Sequence, residues 1–189
     1  MIIPNIISNA GLPIRVNKLM IELSRQNIAV YKLWPSIQAP PDKPRRYAIS
    51  KAHKQIIEWA LLEGLPEVTV FEDDIWFPAE DGWQYYQDNK PKEFDLYLGG
   101  VYRGEIDENN KIKRFTGMMC YTISEKFYTT FLGVNEMLDI DGAMSGLGDF
   151  YVCNPFAAIC HDGWSENVGG MMAYNHLLKG REVRGIGIM

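Results

Sequence analysis

"VTVFEDDIWF", residues 68–77, decides how this chain is read. Val68, Val70 and Phe71 belong to a run with strong strand preference. The run ends in Glu72, Asp73 and Asp74, and the pattern turns apolar again at Ile75. Three adjacent carboxylates repel one another, and burying them without partners is costly. At the end of a predicted buried strand, they call for a compensating group. If strand geometry persists through residue 74, Glu72 and Asp74 point to one side and Asp73 to the other. Carboxylates at i and i+2 can share a hard divalent cation such as Mg²⁺ or Mn²⁺. A bound cation can in turn hold a diphosphate and neutralise it as a leaving group. A solvated turn carrying three surface acids is the other reading of the same residues.

Working outward, "SKAHKQIIEWALLEG" (50–64) predicts a helix capped by Ser50 and stopped by Gly64 and Pro66. Ala52, Ile56, Trp59 and Ala60 share its apolar face. The polar, proline-rich stretch 35–46 before it reads as a long loop. Further upstream lie a strand at 28–34, a helix carrying Val16, Leu19, Met20 and Leu23, and a first strand in "IIPNIIS". Downstream, "FDLYLGG" (94–100) predicts a strand. "ENN" (108–110) predicts a turn between two extended segments, the second running on into "GMMCYTIS". A helix is expected from 124 to 132, with Phe127, Tyr128 and Phe131, then a late strand in "DFYVCNPF" broken by Pro155. Helices alternating with strands imply an α/β sandwich around a mainly parallel sheet, with antiparallel elements late in the chain. In such sheets ligands bind beyond the carboxyl ends of the strands, where the three acids lie.

The chain has 189 residues, 47% hydrophobic and 23% charged, which fits one globular domain over 1–189 with a substantial core. A net charge of −5 argues against a general nucleic-acid-binding surface. The basic clusters Lys43, Arg45, Arg46 and Lys111, Lys113, Arg114 read as solvated loops. No apolar run is long enough to form an integral membrane segment, and "MIIPNII" lacks the basic start of a signal peptide. Cys120, Cys153 and Cys160, without a CxxC pair, suggest buried, reduced thiols in a cytoplasmic setting. The nucleophile-elbow, zincin, P-loop and dinucleotide fingerprints are missing from the sequence. Two polar loops add candidates near predicted strand ends: Asp139, Asp141 and Asp149, then His161, Asp162, Ser165 and Glu166.

The order of several segments is distinctive: His53 and Trp59 in "AHKQIIEWA", the acids in "VFEDDIWF", "LYLGG" (96–100), "GMMCYTIS" (117–124), "DIDGAM" (139–144) and "NPFAAICHDGWSEN" (154–167). This series resembles glycosyltransferase family 25, the lipooligosaccharide-type and collagen-type galactosyltransferases. Ala52 stands where that family has Ser before the His, and "IISNAGLPIR" replaces its opening, with Arg15 as the counterpart of its Arg. The resemblance implies a compact GT-A-like nucleotide-diphosphosugar transferase fold. It implies Mn²⁺- or Mg²⁺-dependent, inverting transfer of a galactose-like sugar, from a nucleotide-diphosphate donor such as a UDP-sugar. The acceptor would be a hydroxyl of a glycan or protein, as in lipopolysaccharide biosynthesis. Glu72, Asp73 and Asp74 would be its DxD-like element. Glu72, Asp74 and His161 would serve the metal, Arg15, His53 and Asp73 the bound donor, and Asp141 would be the base. Tyr102 and Trp164 are candidates for stacking on a sugar or base. Two other classes compete: a non-catalytic GT-A-like binding module, and a metal-dependent phosphoester hydrolase, which usually needs more ligands than three widely separated histidines offer.

Overall fold

A computed structural model of the chain describes residues 2–165 and 168–189. Glu166 lies outside the described residues. In chain order the first elements are β1 (Pro4–Ser8), α1 (Pro13–Arg25), β2 (Lys32–Pro35), α2 (Arg45–Leu62), β3 (Glu67–Glu72), β4 (Ile75–Trp76) and α3 (Gly82–Asp88). Next come β5 (Leu96–Leu98), β6 (Arg103–Ile106), β7 (Ile112–Thr116), β8 (Cys120–Ser124), α4 (Glu125–Gly133), α5 (Ile140–Met144) and β9 (Phe150–Val152). The chain ends in β10 (Ile159–Cys160), β11 (Gly163–Ser165), β12 (Gly170–Met172), a 3₁₀ turn (Asn175–Leu178), β13 (Glu182–Val183) and β14 (Gly187–Ile188).

The main sheet has six strands in the order β2-β1-β3-β8-β5-β9. Strand β8 runs antiparallel to both its neighbours, and every other pairing is parallel. The fold is thus α/β with a mostly parallel central sheet, as the alternation of elements predicts.

Strand periodicity sorts side chains onto two faces. Val68, Val70, Leu96, Leu98, Tyr121 and Ile123 pack with Ile56 and Ile57 of α2 and Phe127 and Phe131 of α4. On the other face, Ile6, Phe71, Tyr97 and Cys120 pack with Leu19 and Leu23 of α1 and Trp83 and Tyr86 of α3. Both faces are covered, which is the usual condition of a sheet rich in parallel pairs.

One polar latch fixes the chain just after the three acids. Glu22 of α1 is buried and accepts the Phe77 backbone N–H at 2.9 Å. Arg25 pairs with Glu22 at 2.7 and 3.1 Å and also donates to the Phe77 carbonyl. Gln26 donates to the Ala79 carbonyl and accepts from the Trp83 N–H, both at 2.8 Å. The segment after β4 is therefore tied to α1, and the 72–74 turn is held from both ends.

Several sequence expectations shift. Helix α2 begins at Arg45, so Ser50 is an interior, buried residue and not the cap. Pro44 takes the cap position at φ −69°, ready to enter a helix but with no side-chain acceptor to signal it. Arg45 and Arg46 are consequently helical and not part of a loop. Strand β2 covers 32–35 and not 28–34. The turn at 108–110 joins β6 to β7, with Asn110 at φ 61°. The second hairpin strand does not run on into β8. Gly117 breaks it at φ +101°, where a Cβ would meet the Tyr102 ring at 2.7 Å. Helices α3 and α5, and the paired strands of the glycine-rich tail, are not anticipated by the sequence pattern. No helix among the described residues is long and apolar enough to cross a membrane.

Candidate active site

A cavity of about 700 Å³ opens beyond the carboxyl ends of β1, β2 and β3. Asn9 follows β1, Ser36 and Ile37 follow β2, and Glu72, Asp73 and Asp74 close β3; all line it. Because β8 is antiparallel, the residues entering it, Gly117 to Met119, lie at the same end of the sheet. Arg45 and Arg46 from the start of α2 and Asp141 from α5 complete the wall.

Strand geometry does not persist through residue 74: β3 ends at Glu72, residues 73–74 form a turn, and Asp73 and Asp74 share one Arg15 nitrogen while Glu72 meets His53. Glu72 continues the Val68–Val70 face toward α2, and its Oε1 lies 3.3 Å from His53 Nε2. Asp73 accepts the Asn9 backbone N–H at 2.8 Å. Asp74 meets the Cys160 thiol at 3.3 Å. Arg15 reaches across from α1, 2.5 Å from Asp73 and 2.9 Å from Asp74. Among these contacts, one guanidinium, one imidazole and one backbone N–H face three carboxylates.

The balance is visible in the protonation of the site. Burial raises the Asp74 carboxyl and the neighbouring Glu72 charge adds to it; Arg15 offsets only part, leaving Asp74 at about 7. Asp73 is also raised by burial, against the opposing pull of Arg15 and the Asn9 N–H. Burial alone would raise Glu72, but the His53 contact and Arg15 bring it below its ordinary value. Burial works against the Arg15 charge, yet the surrounding carboxylates, Asp74 foremost, raise it overall.

Among the described residues, Glu72, Asp74 and Cys160 form one group able to hold a metal ion, their ligand atoms within 4.8 Å of one another. The two carboxylates suit a hard divalent cation. The thiol does not: burial, then Asp74 and Glu72, push it well above its ordinary value, so it stays protonated. A cation there would be held by the two carboxylate groups and complete its shell from ligand oxygens or water.

Asp141 lies on the cavity wall, one residue into α5. Its Oδ2 accepts the Gly117 N–H and its Oδ1 the Gly142 N–H, both at 2.8 Å. Burial raises this carboxyl above the ordinary range despite those two bonds. His53 forms part of the cavity floor but is 1% exposed, and its Nδ1 lies 3.0 Å from the Tyr121 hydroxyl. Tyr102 lines the cavity and stacks on Tyr174 at 4.8 Å.

The structure gathers Arg15, His53, Glu72, Asp73, Asp74 and Asp141 around one cavity. It does not bring His161 to them. That imidazole stacks on Trp76 at 5.2 Å, and only its backbone reaches the site, donating to the Asp74 carbonyl. Trp164 is 44% exposed, and its carbonyl accepts from Arg15 at 3.5 Å. Asp162 accepts the Tyr174 and Asn175 N–H groups, and Asp149 pairs with Lys111. Arg45, Arg46, Asn9 and Cys160 are site residues that sequence reasoning missed. Arg45 and Arg46 follow a proline cap that offers no side-chain acceptor, so the helix start that places them is not marked in the sequence. Nothing local marks Cys160, 86 residues from its partner.

No protein-family model and no curated protein matches the chain. Among solved structures it is similar to a mannose-1-phosphate geranyltransferase from Thermus thermophilus, with 10% identity, TM-score 0.49, and coverage of 80% of this chain and 73% of that one. It is also similar to a Drosophila galactosyltransferase 7 mutant in complex with manganese, UDP-Gal and xylobiose: 8% identity, TM-score 0.48, coverage 80% and 64%. A third is a glycosyltransferase involved in glycosylating the major capsid of PBCV-1, at 9%, 0.41, 68% and 63%.

Proposed function

We propose that this chain is a GT-A-like, metal-dependent glycosyltransferase that uses a nucleotide-diphosphate sugar, the whole chain acting as one unit. One observation carries it. Two carboxylates, Glu72 and the under-compensated Asp74, lie at the carboxyl end of β3 on the wall of a cavity that also holds Asp141. That placement supports a bound cation and diphosphate beyond the carboxyl ends of the strands. When bound, Mn²⁺ or Mg²⁺ neutralises charge on the diphosphate leaving group. Arg15 stands beside Asp73 and Asp74, able to turn toward a phosphate. Asp141, held by two backbone N–H groups, takes the proton of the acceptor hydroxyl as that oxygen bonds to the anomeric carbon and the bond from that carbon to the departing nucleoside diphosphate breaks. The finer features come from the family 25 resemblance: an inverting course, a galactose-like UDP donor, and a glycan or protein acceptor, as in lipopolysaccharide synthesis. Three free, buried cysteines fit a reducing, cytoplasmic setting.

The test is a thermal-shift panel of uridine, guanosine, cytidine and thymidine diphosphates, each with and without Mn²⁺. A ligand that binds only the folded state raises the melting temperature. A shift that needs one nucleotide and the metal together is expected, and a flat panel on folded protein overturns the reading.

A second reading is favoured by Arg15, which already supplies a cation to Asp73 and Asp74. It is a binding module that takes nucleotide without metal and catalyses nothing. A nucleotide shift indifferent to Mn²⁺ selects it.

A further inference from the structure

His53 is 1% exposed, so its imidazole is too enclosed to serve as a broad contact for a bound ligand. Both of its nitrogens are engaged: Nε2 with Glu72 Oε1 at 3.3 Å, Nδ1 with the Tyr121 hydroxyl at 3.0 Å. Tyr121 is fully buried on β8, opposite Val70 of β3, on the same face of the sheet as Glu72. A phenol has one proton to donate. Among the described contacts, His53 Nδ1 is its one partner. The hydrogen bonds close in one way: the Tyr121 O–H donates to a bare Nδ1, and an Nε2–H donates to the carboxylate. With the proton on Nδ1 instead, the tyrosine proton has no acceptor and Glu72 loses its donor, each a buried polar loss.

We infer that Tyr121 and His53 form a buried positioning pair that fixes the tautomer of the imidazole and, through it, the orientation of the Glu72 carboxylate. With Oε1 engaged by His53, Oε2 is left for a cation. This inference rests on the metal-site reading above and deepens it, by assigning His53 to Glu72 and not to the donor. The same logic holds when outer groups orient the ligands of a metal, where their loss costs about 10- to 100-fold in metal affinity.

Two measurements test it. The first needs no variant: ¹⁵N–¹H correlation of the histidine side chains in metal-free protein, with His53 assigned by its disappearance in His53→Gln. A fixed Nε2–H tautomer with an unprotonated Nδ1 is expected. An Nδ1–H tautomer, or averaging between the two, overturns the inference. The second is Mn²⁺ binding followed by electron paramagnetic resonance in the wild type, Tyr121→Phe and His53→Gln, each first shown to be folded. Tyr121→Phe keeps the ring and removes only the hydroxyl. A loss of Mn²⁺ affinity of about 10-fold or more is expected for both variants. Wild-type affinity in Tyr121→Phe overturns the inference while the metal site stands. A wild type that binds no Mn²⁺ overturns the metal site and this inference with it.

Discussion

Glu22 and Asp74 are both carboxylates withdrawn from water, and they act at the two ends of the short strand β4: Asp74 precedes it, and Glu22 of α1 binds Phe77 just after it. Glu22 has a full set of partners: two contacts from Arg25 and the Phe77 N–H. Asp74 shares one arginine with Asp73, stands near Glu72, and otherwise meets a thiol that stays protonated. One acid is complete, and it pins a segment. The other is left short of positive charge, and it faces a cavity. The number of acids does not mark a ligand site. What marks it is charge left unbalanced where a ligand can reach.

That contrast can be broken first at Arg15. Arg15→Gln removes the guanidinium that Asp73 and Asp74 share. In metal-free buffer it should cost about 3–5 kcal/mol, read from urea unfolding. Added Mn²⁺ should recover part of the loss, and no recovery would argue that the carboxylates do not form a cation site. Glu22→Ala comes next. It orphans the Phe77 N–H and leaves Arg25 with the Phe77 carbonyl but no carboxylate, for an expected loss of about 2–3 kcal/mol. Here Mn²⁺ should recover nothing, because the latch takes no ligand. A smaller effect of opposite sign is expected for Asp74→Asn in EDTA: unfolding should be unchanged or shifted up by at most about 2 kcal/mol, since one repelling charge is gone. The Mn²⁺-dependent thermal shift should vanish in the same variant. Least of all, Lys113→Ala on the exposed face of β7 should change stability by under about 0.5 kcal/mol and leave Mn²⁺ and nucleotide shifts untouched.

The elements that were legible in the sequence are those whose own pattern carries the signal. β3 and α4 declare themselves through strand propensity and helical spacing, and α1 through Leu19 and Leu23. Helix α3 does not, because "GWQYYQD" is short and is held by Trp83 and Tyr86 against the sheet, not by a helical pattern. The start of α2 was hidden by a proline cap, while Ser50 offered a more familiar but false one. The site was legible to the same degree. The place of the acids at a strand end follows from the sequence pattern, but their directions do not, because the strand gives way to a turn at Asp73 and Arg15 draws Asp73 and Asp74 together. Cys160 and the arginines of α2 enter only through tertiary approach. His161 illustrates the reverse: it lies beside Asp74 along the β4–β10 pairing, yet its side chain turns away to stack on Trp76.

Cys120, Cys153 and Cys160 are all buried, so native protein offers no thiol to a reagent in solution. Reaction must wait for an opening of the chain, and the three sulfurs sample different openings. Cys160 sits behind Asp74, which lines the cavity, whereas Cys120 lies within the sheet under α1 and α3. The labelling rate of Cys160 therefore times local breathing of the site, and that of Cys120 times unfolding of the domain around it. The chain carries two clocks, and a ligand that slows the first without touching the second has been caught in the act of binding.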